Sequence, residues 1–585
     1  MADVAPSMTR RGLLAAVGVG TSALAGCSER LWSQAETTGT DQVSLRIKAV
    51  PADDDYFAAT IASQLRENYA AAGIDATHEP VSKAELYRDI LLEGDYDVFV
   101  ARYAGFDEYD ALYELLHSRF VSESGWQNPF YVSDVTSDGY LETQREADES
   151  DRQDVLVDLI EHLLRTTPYT AVTFPYTVSG VAESFSLPTP PRRPHEYLEV
   201  LSYSENEPRD GPLEVGVFGE HLTERLNPIT VDRNRINGLL GLVYDPLVRQ
   251  ISDEYVPWLA EDVEWTTQGQ VQARVTLREE VEWHDGESLD AEDVAFTFDF
   301  IGDTSMGEAD GGVPAPRYRG RQTLLGGTDT DVIDSRTIEL SFPAASQTTA
   351  RRLLTIPVLP AHLWADRSEV IADRQTRAIT TNNEEPVGSG LFAFSEATTD
   401  VKVELEPFDG HVLREATDRP EVLENFPQFE GLTFRIAPNP GSMGDALVDG
   451  DTDVTASELP PGTARDIRTA ASASTVTGRT NSFYMIGYNS RQDELGNPNF
   501  RRLCSRLIDR EHAVHEFFEG FAQTATTPSA LVGISESMAF DGDLEDRFES
   551  DPLRFPGTDG ELNMSRVQSL FDDIGYRYED GLLLE

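Results

Sequence analysis

Apolar and polar residues alternate along "VSLRIKAV" (43–50), with Val43, Leu45, Ile47 and Ala49 on one face, and a period of two predicts a strand. Helical spacing follows at Phe57, Ile61, Leu65 and Tyr69, and Gly73 is placed to close that helix. "IDATH" (74–78) predicts a second strand, Ser82 and Glu85 have the spacing of a capping box, and "YDVFVARY" (96–103) predicts a third strand. Strand, helix, strand, helix, strand points to an α/β sheet. Open sheets of that kind take ligands at the carboxyl ends of their strands, which is where "YAGFDEYD" begins.

The pattern continues with a helix in "DVLVDLIEHLLRTTPYT", which puts Val155, Leu159, Ile160 and Leu163 on one face, and a strand in "AVTFPYTVSG". The segment "SLPTPPRRPHEYLEVLSYSENEPRDGP" is rich in proline and charge and predicts a linker or long surface connection. Strand alternation restarts at "LEVGVFG" (213–219), as if a new protein began there. The Gly-rich stretch "GDTSMGEADGGVPAPRYRGRQTLLGGTDTD" (302–331) predicts a mobile loop. No internal repeat is visible.

Composition narrows the reading. The chain has 585 residues, enough for about three structural units, with 47 Lys+Arg against 103 Asp+Glu and a formal net charge of −56. Its lysines are Lys48, Lys83 and Lys402 alone, so nearly all positive charge is arginine. Such an excess of acid repels phosphate and anionic lipid, which excludes nucleic acid as a partner class. The acid is spread through patterned segments, so it reads as the haloarchaeal-like surface of a protein working in molar salt, where the Debye length is about 3 Å.

At the N-terminus, Arg10–Arg11 precede an uncharged run from Gly12 to Gly26, shorter than the about 20 residues of a membrane span. The stretch resembles a twin-arginine export signal, and Leu24-Ala25-Gly26-Cys27 resembles a lipoprotein box in which the Cys27 thiol takes a lipid. A polar tether follows over 28–42. The other cysteine, Cys504, sits beside Leu503 and Leu507 in "FRRLCSRLIDR" and reads as a small buried hydrophobe, so no disulfide is required.

Residues 213–585 resemble the family 5 extracellular solute-binding proteins, the dipeptide and oligopeptide receptors of ABC importers. The likeness runs in family order through "LNPITVDRNRINGLLGLVYDPLVRQ", "YVPWLAEDVEW", "VTLREEVEWHDGESLDAEDVAFTFDF", "DSRTIELSF", "IPVLPAHLW", "EPVGSGLFAF", "ALVDGDTDV", "NSFYMIGYNS" and "FRRLCSRLIDREHAVHEFFEGFAQTATTPSAL". It implies a two-lobed, periplasmic-binding-protein-like α/β fold of class II with an extra subdomain. Family members continue beyond the point matched by "VQSLFDDIGYRYEDGLLLE", and their remaining segments look like residues 43–200 here. A circular permutation is therefore expected, with the old termini joined through "PTPPRRPHEYLEVLSYSENEPRDG". The alternative, an unrelated α/β domain at 41–200 on a truncated receptor, would leave strand edges exposed.

The implied organisation is a Tat-type lipoprotein signal (1–27), a tether (28–42), part of lobe 2 (43–165), a return segment of lobe 1 with the linker (166–205), the start of lobe 1 (206–250), its subdomain (251–385), more of lobe 1 (386–480) and the remainder of lobe 2 (481–585). The resemblance implies no enzyme, cofactor or metal. It implies an extracellular, lipid-anchored monomer that meets the membrane only through its lipid and passes peptides to ABC permease subunits. A nickel complex or oligosaccharide as ligand, delivery to a chemosensor, and a surface hydrolase are the rival readings.

In peptide receptors the ligand amine meets an aspartate shortly after an aromatic residue. Tyr103 fits the aromatic, while the family spacing falls on Phe106 and leaves Asp107 one residue late. Asp107 is the expected amine partner, because a buried ammonium needs a paired carboxylate. The resemblance also puts Thr230, Val231, Asp232, Tyr176, Phe483, Tyr484 and Asn489 at the ligand, against core packing for the aromatics. His284–Asp285 reads as a turn, not a catalytic pair. "DGDTD" (449–453) opens like a calcium loop, but Val454 and Pro460 stand where Gly and Glu are needed.

Overall fold

The structure is a computed structural model that describes residues 41–584, apart from 124, 188, 204–209, 220–221, 232–236, 252–253, 427–428 and 539–550. Arg10, Arg11, Cys27 and Asp232 lie outside the described residues.

Strands β1 (Ser44–Ala49), β2 (Asp75–Pro80), β3 (Val98–Tyr103), β4 (Tyr169–Pro175), β5 (Thr177–Ala182) and β6 (Leu213–Phe218) fall into two large sheets. One has six strands in the order β2, β1, β3, Phe483–Tyr488, β4, Ala522–Thr524. Its first three strands run parallel, and Phe483–Tyr488 runs antiparallel to both β3 and β4. The other has seven strands in the order Phe392–Thr398, Lys402–Pro407, Leu432–Ala437, β6, Val454–Thr455, β5, Ala473–Gly478. A third, four-stranded antiparallel sheet spans Ala260–Thr266, Val271–Leu277, Asp329–Asp334 and Thr337–Phe342. Its core residues Val275 and Leu340 merge with those of the seven-stranded sheet, such as Val215 and Phe434, so it belongs to that lobe.

The predicted strand–helix–strand start is present. Asp55 caps helix Tyr56–Ala71 by accepting from the Phe57 and Ala58 amides, and Ile61, Leu65 and Tyr69 are fully buried beneath it. Gly73 closes the helix at φ +88. Ser82 accepts from the Glu85 amide at 3.3 Å, and Cys504 is buried.

Two expectations are corrected. The proline-rich stretch is not only a connection: Pro194–Ser202 is a helix that buries Tyr197, Leu198, Val200 and Leu201, started by Pro194 and by Glu196 accepting from the Arg192 and Arg193 amides. The Gly-rich stretch is not an open loop either. The Asp303 carboxylate collects the amides of Ser305, Gly307 and Val313, and the chain then forms a 3₁₀ turn at Pro316–Arg321 and a helical turn at Gln322–Leu325.

The chain crosses between the two large sheets twice among the described residues, at Tyr176 between β4 and β5 and at 479–482 between Ala473–Gly478 and Phe483–Tyr488. The crossings leave the seven-stranded sheet side by side, from the paired strand ends Thr177 and Gly478, where Thr177 Oγ1 donates to the Gly478 carbonyl. Two adjacent crossings joining two independently cored bodies are the anatomy of a hinge. The ends of the described chain also meet: the Val43 amide donates to the Leu583 carbonyl at 3.0 Å, and Leu583 donates to Gly73 O at 2.9 Å.

Candidate functional site

The carboxyl end of β3 meets the segment that follows Val454–Thr455 in the other lobe, which lies beside the carboxyl end of β6, and strand ends of this kind are where open α/β sheets hold ligands. Arg102, near the end of β3, makes the contact: Nη1 donates to Glu458 Oε2 of the other lobe at 2.7 Å, while Nε and Nη2 donate to Ser482 Oγ in the second crossing. Burial opposes the charge of Arg102, but Glu458, Tyr484 and Asp55 together outweigh it, so its pKa is raised. Beside it Tyr484 Oη donates to Asp55 Oδ1 at 2.9 Å, and Phe57 stacks on Phe518 with centroids 4.1 Å apart. On the facing lobe the Phe218 amide donates to Ser457 Oγ. The lobes are thus joined here by an ion pair, beside which stands a carboxylate–tyrosine bond, with the Phe57–Phe518 stack behind them in the six-stranded core.

The expected site residues divide. Tyr103 ends β3 with its ring against Trp126 and Phe106, and Gly105 beyond it lies at φ +91, where a Cβ would stand 2.0 Å from the Asn481 carbonyl of the crossing segment. Tyr176 sits in the first crossing, its amide donating to Phe521 O. Thr230 is half-buried and Val231 is exposed, on the loop after β6. Of these, Tyr176 lies in a crossing and Tyr103 lies beside the second crossing through Gly105.

Phe483, Tyr484 and Asn489 are buried in the six-stranded lobe, with the Tyr484 hydroxyl turned to Asp55 beside Arg102. Phe483 is surrounded by Tyr103, Phe106, Tyr169 and Phe174. The Asn489 amide donates to Gly94 O and Tyr96 O, leaving it a buried turn-former. Phe106, at the family's aspartate spacing, is core.

Asp107 is accessible but already paired. Arg352 Nη2 donates to its Oδ1 at 2.9 Å and Arg321 Nη2 to its Oδ2 at 3.3 Å, both from the facing lobe. Burial works to raise its pKa, yet those guanidiniums hold the carboxyl below the ordinary range.

Arg102, Glu458, Asp55 and Phe57 were not expected at the site. The signal for the first was on view: an arginine inside the apolar run "VFVARY" needs a partner. Nothing local marks Glu458, which is brought in by the tertiary fold. His284 is in a turn, accepting from Gly388 N and contacting Gly390 O through Nε2. In the calcium-like stretch Gly450 is the left-handed cap of helix Pro440–Asp449, and Asp453 accepts from the Glu214 amide. Among the described residues no cluster of His, Cys, Asp and Glu is arranged to hold a metal, and no helix is long and apolar enough to cross a membrane.

Comparison with known proteins gives one family match: residues 254–576 fit the model of the bacterial extracellular solute-binding proteins, family 5 Middle. The oligopeptide-binding protein AppA of Bacillus subtilis is 23% identical over 259 residues, 44% of this chain and 42% of that protein. The chain therefore spans less than half the length of this relative. Among solved structures, B. subtilis AppA in complex with a nonapeptide aligns over 64% of this chain and 66% of its own, at 17% identity and a TM-score of 0.45. A mannohexaose-bound oligopeptide-binding protein of Thermotoga maritima aligns over 64% of each chain, at 21% identity and a TM-score of 0.45.

Proposed function

The chain belongs to the bacterial extracellular solute-binding proteins of family 5, and on that premise we propose that it captures peptides outside the cell and presents them to an ABC importer by closing one lobe on the other. The family match carries this reading, and the oligopeptide-binding relative supports peptide as the ligand class. The two side-by-side crossings agree with it, because a solute bridging both lobes makes its full contacts only when they are closed.

The proposed lobes are 43–175 with 483–585 on one side, and 177–250 and 386–478 with the subdomain 251–385 on the other; the boundary expected at 166 moves to Tyr176, because β4 pairs and packs within the six-stranded lobe. Tyr103, Tyr176, Thr230, Val231 and Asp232 are proposed to meet the ligand. Asp107 meets a peptide amine by exchange with Arg321, its longer-bonded partner. The pairing of Val43 with Leu583, and of β3 and β4 with Phe483–Tyr488 in one sheet, supports circular permutation over an added domain. A lipid on Cys27 would hold the receptor at the extracellular face of the membrane, as a monomer, and the acidic surface suits molar salt.

One experiment tests ligand and anchor together. The protein is isolated from membranes in molar salt and its released solutes and N-terminal peptide are read by mass spectrometry. A mixture of short peptides and a lipid-modified Cys27 are expected. A single oligosaccharide or a nickel chelate would replace the peptide assignment, and an unmodified Cys27 would end the lipoprotein reading.

A further inference from the structure

Away from the hinge, the lobes meet through a second surface made of the chain's own charged side chains. The segment 107–114 of the six-stranded lobe carries Asp107, Glu108, Asp110 and Glu114. Arg352 of the facing lobe reaches three of them, at 2.9 Å to Asp107, 3.2 Å to Asp110 and 3.5 Å to Glu108. Arg145 holds Asp110 through two bonds of 2.7 and 3.0 Å and donates across the interface to Thr323 Oγ1, and its carbonyl accepts from the Ser346 amide. Arg152 pairs with Glu108 from behind. With Arg321 on Asp107, four guanidiniums answer three of the four carboxylates.

The fourth carboxylate is the exception. Glu114 Oε1 is buried with no hydrogen-bond partner, and the carboxyl lies directly on Gly320 of the facing lobe, where a Cβ would stand 1.5 Å from Oε2. We propose that this surface is a proton-sensitive latch between the lobes, in which Glu114, seated on Gly320, is the group whose charge decides how readily they part.

The groups around Glu114 fix the sign. Its own segment contributes Asp110 and Asp107, the helix Val135–Glu146 contributes Arg145, the facing lobe contributes Arg352, and β3 contributes the Tyr103 hydroxyl. His117, one turn on, is engaged by Glu142 within its own lobe. Burial pushes the Glu114 carboxyl up; Arg352 and Arg145 pull against this while Asp110 and Asp107 reinforce it, and the outcome is about 8. Parting the lobes lifts Gly320 away and returns the carboxyl to water, where an ordinary glutamate titrates near about 4.3. The closed form thus binds a proton the open form releases. Its advantage is full below about pH 4.3 and declines by up to about tenfold in the closed-to-open ratio per pH unit until it is lost near about 8.

The inference rests on the hinge-closing reading, and its test needs no solute, so it fails or stands apart from the peptide assignment. Nitroxide labels are placed on Val135→Cys and Ile333→Cys, exposed positions on opposite lobes, in a full-length Cys27→Ser background; the remaining Cys504 is buried. Pulsed electron–electron distances are recorded in molar salt from pH 5 to 8.5. In the parent the short-distance population should shrink as pH rises. Glu114→Gln, isosteric and uncharged, should keep it at every pH, and Gly320→Ala should lose it at every pH, with circular dichroism reporting the fold. A parent distribution independent of pH, or a Glu114→Gln profile identical to the parent's, overturns the proposal. If Gly320→Ala does not fold, the parent and Glu114→Gln pair decides alone.

Discussion

Nearly every internal cation of this protein is an arginine, and the structure shows what that choice does. Arg501 donates from its fork to Thr167 O, Thr166 O and Leu495 O, and Arg510 to Ala171 O, Leu553 O and Ser505 O, so each ties several chain segments through backbone carbonyls that one ammonium could not span. Burial brings Arg501 down to about 10, which leaves it charged at neutral pH. Arg102 uses the same geometry across the cleft. Arg102→Met should lower stability by about 2–3 kcal/mol, since it strands Glu458 without its charge-assisted bond. Arg102→Met with Glu458→Leu should recover most of the loss. Chemical unfolding in molar salt reads both, and strictly additive losses would show that the two side chains are not coupled.

At the scale of elements, what could be read from the sequence was what period alone specifies. The strand at Val43, the helix closed by Gly73 and the strand "VFVARY" all stand, because each buries its face within its own short stretch. The helix Pro194–Ser202 was hidden by its proline-rich surroundings, although Tyr197, Leu198 and Leu201 carry helical spacing. The stretch after Gly302 was misread because its order comes from one side chain, Asp303, gathering backbone amides, which composition does not display. Of the site, the strand-end position of Tyr103 was legible, whereas Asp107's two arginines arrive from more than two hundred residues away. The proposed order of elements has its own test: deleting residues 1–42, joining 585 to 43 and opening the chain just after Tyr203, beyond the buried helix. Since Val43 already bonds to Leu583, that protein should be soluble and unfold cooperatively near the parent's midpoint. Aggregation without a cooperative transition would sink the permutation.

For the whole molecule, net charge and geometry pull in different directions. A body of −56 repels itself, and dilution from about 1 M to about 0.1 M salt lengthens the Debye length from about 3 to about 10 Å. Cooperative tertiary structure, followed by near-ultraviolet circular dichroism, should be lost on that dilution and regained on restoring salt. An unchanged spectrum at about 0.1 M would remove salt adaptation as the meaning of the acid. The meeting of Val43 with Leu583 has a mechanical outcome as well. Residue 42 emerges from the six-stranded body, beside Leu584, so whatever grips the stretch ahead of it grips that body. Under the proposed closure, the six-stranded half would serve as stator, and the seven-stranded half, with its four-stranded rider, would be the rotor that swings.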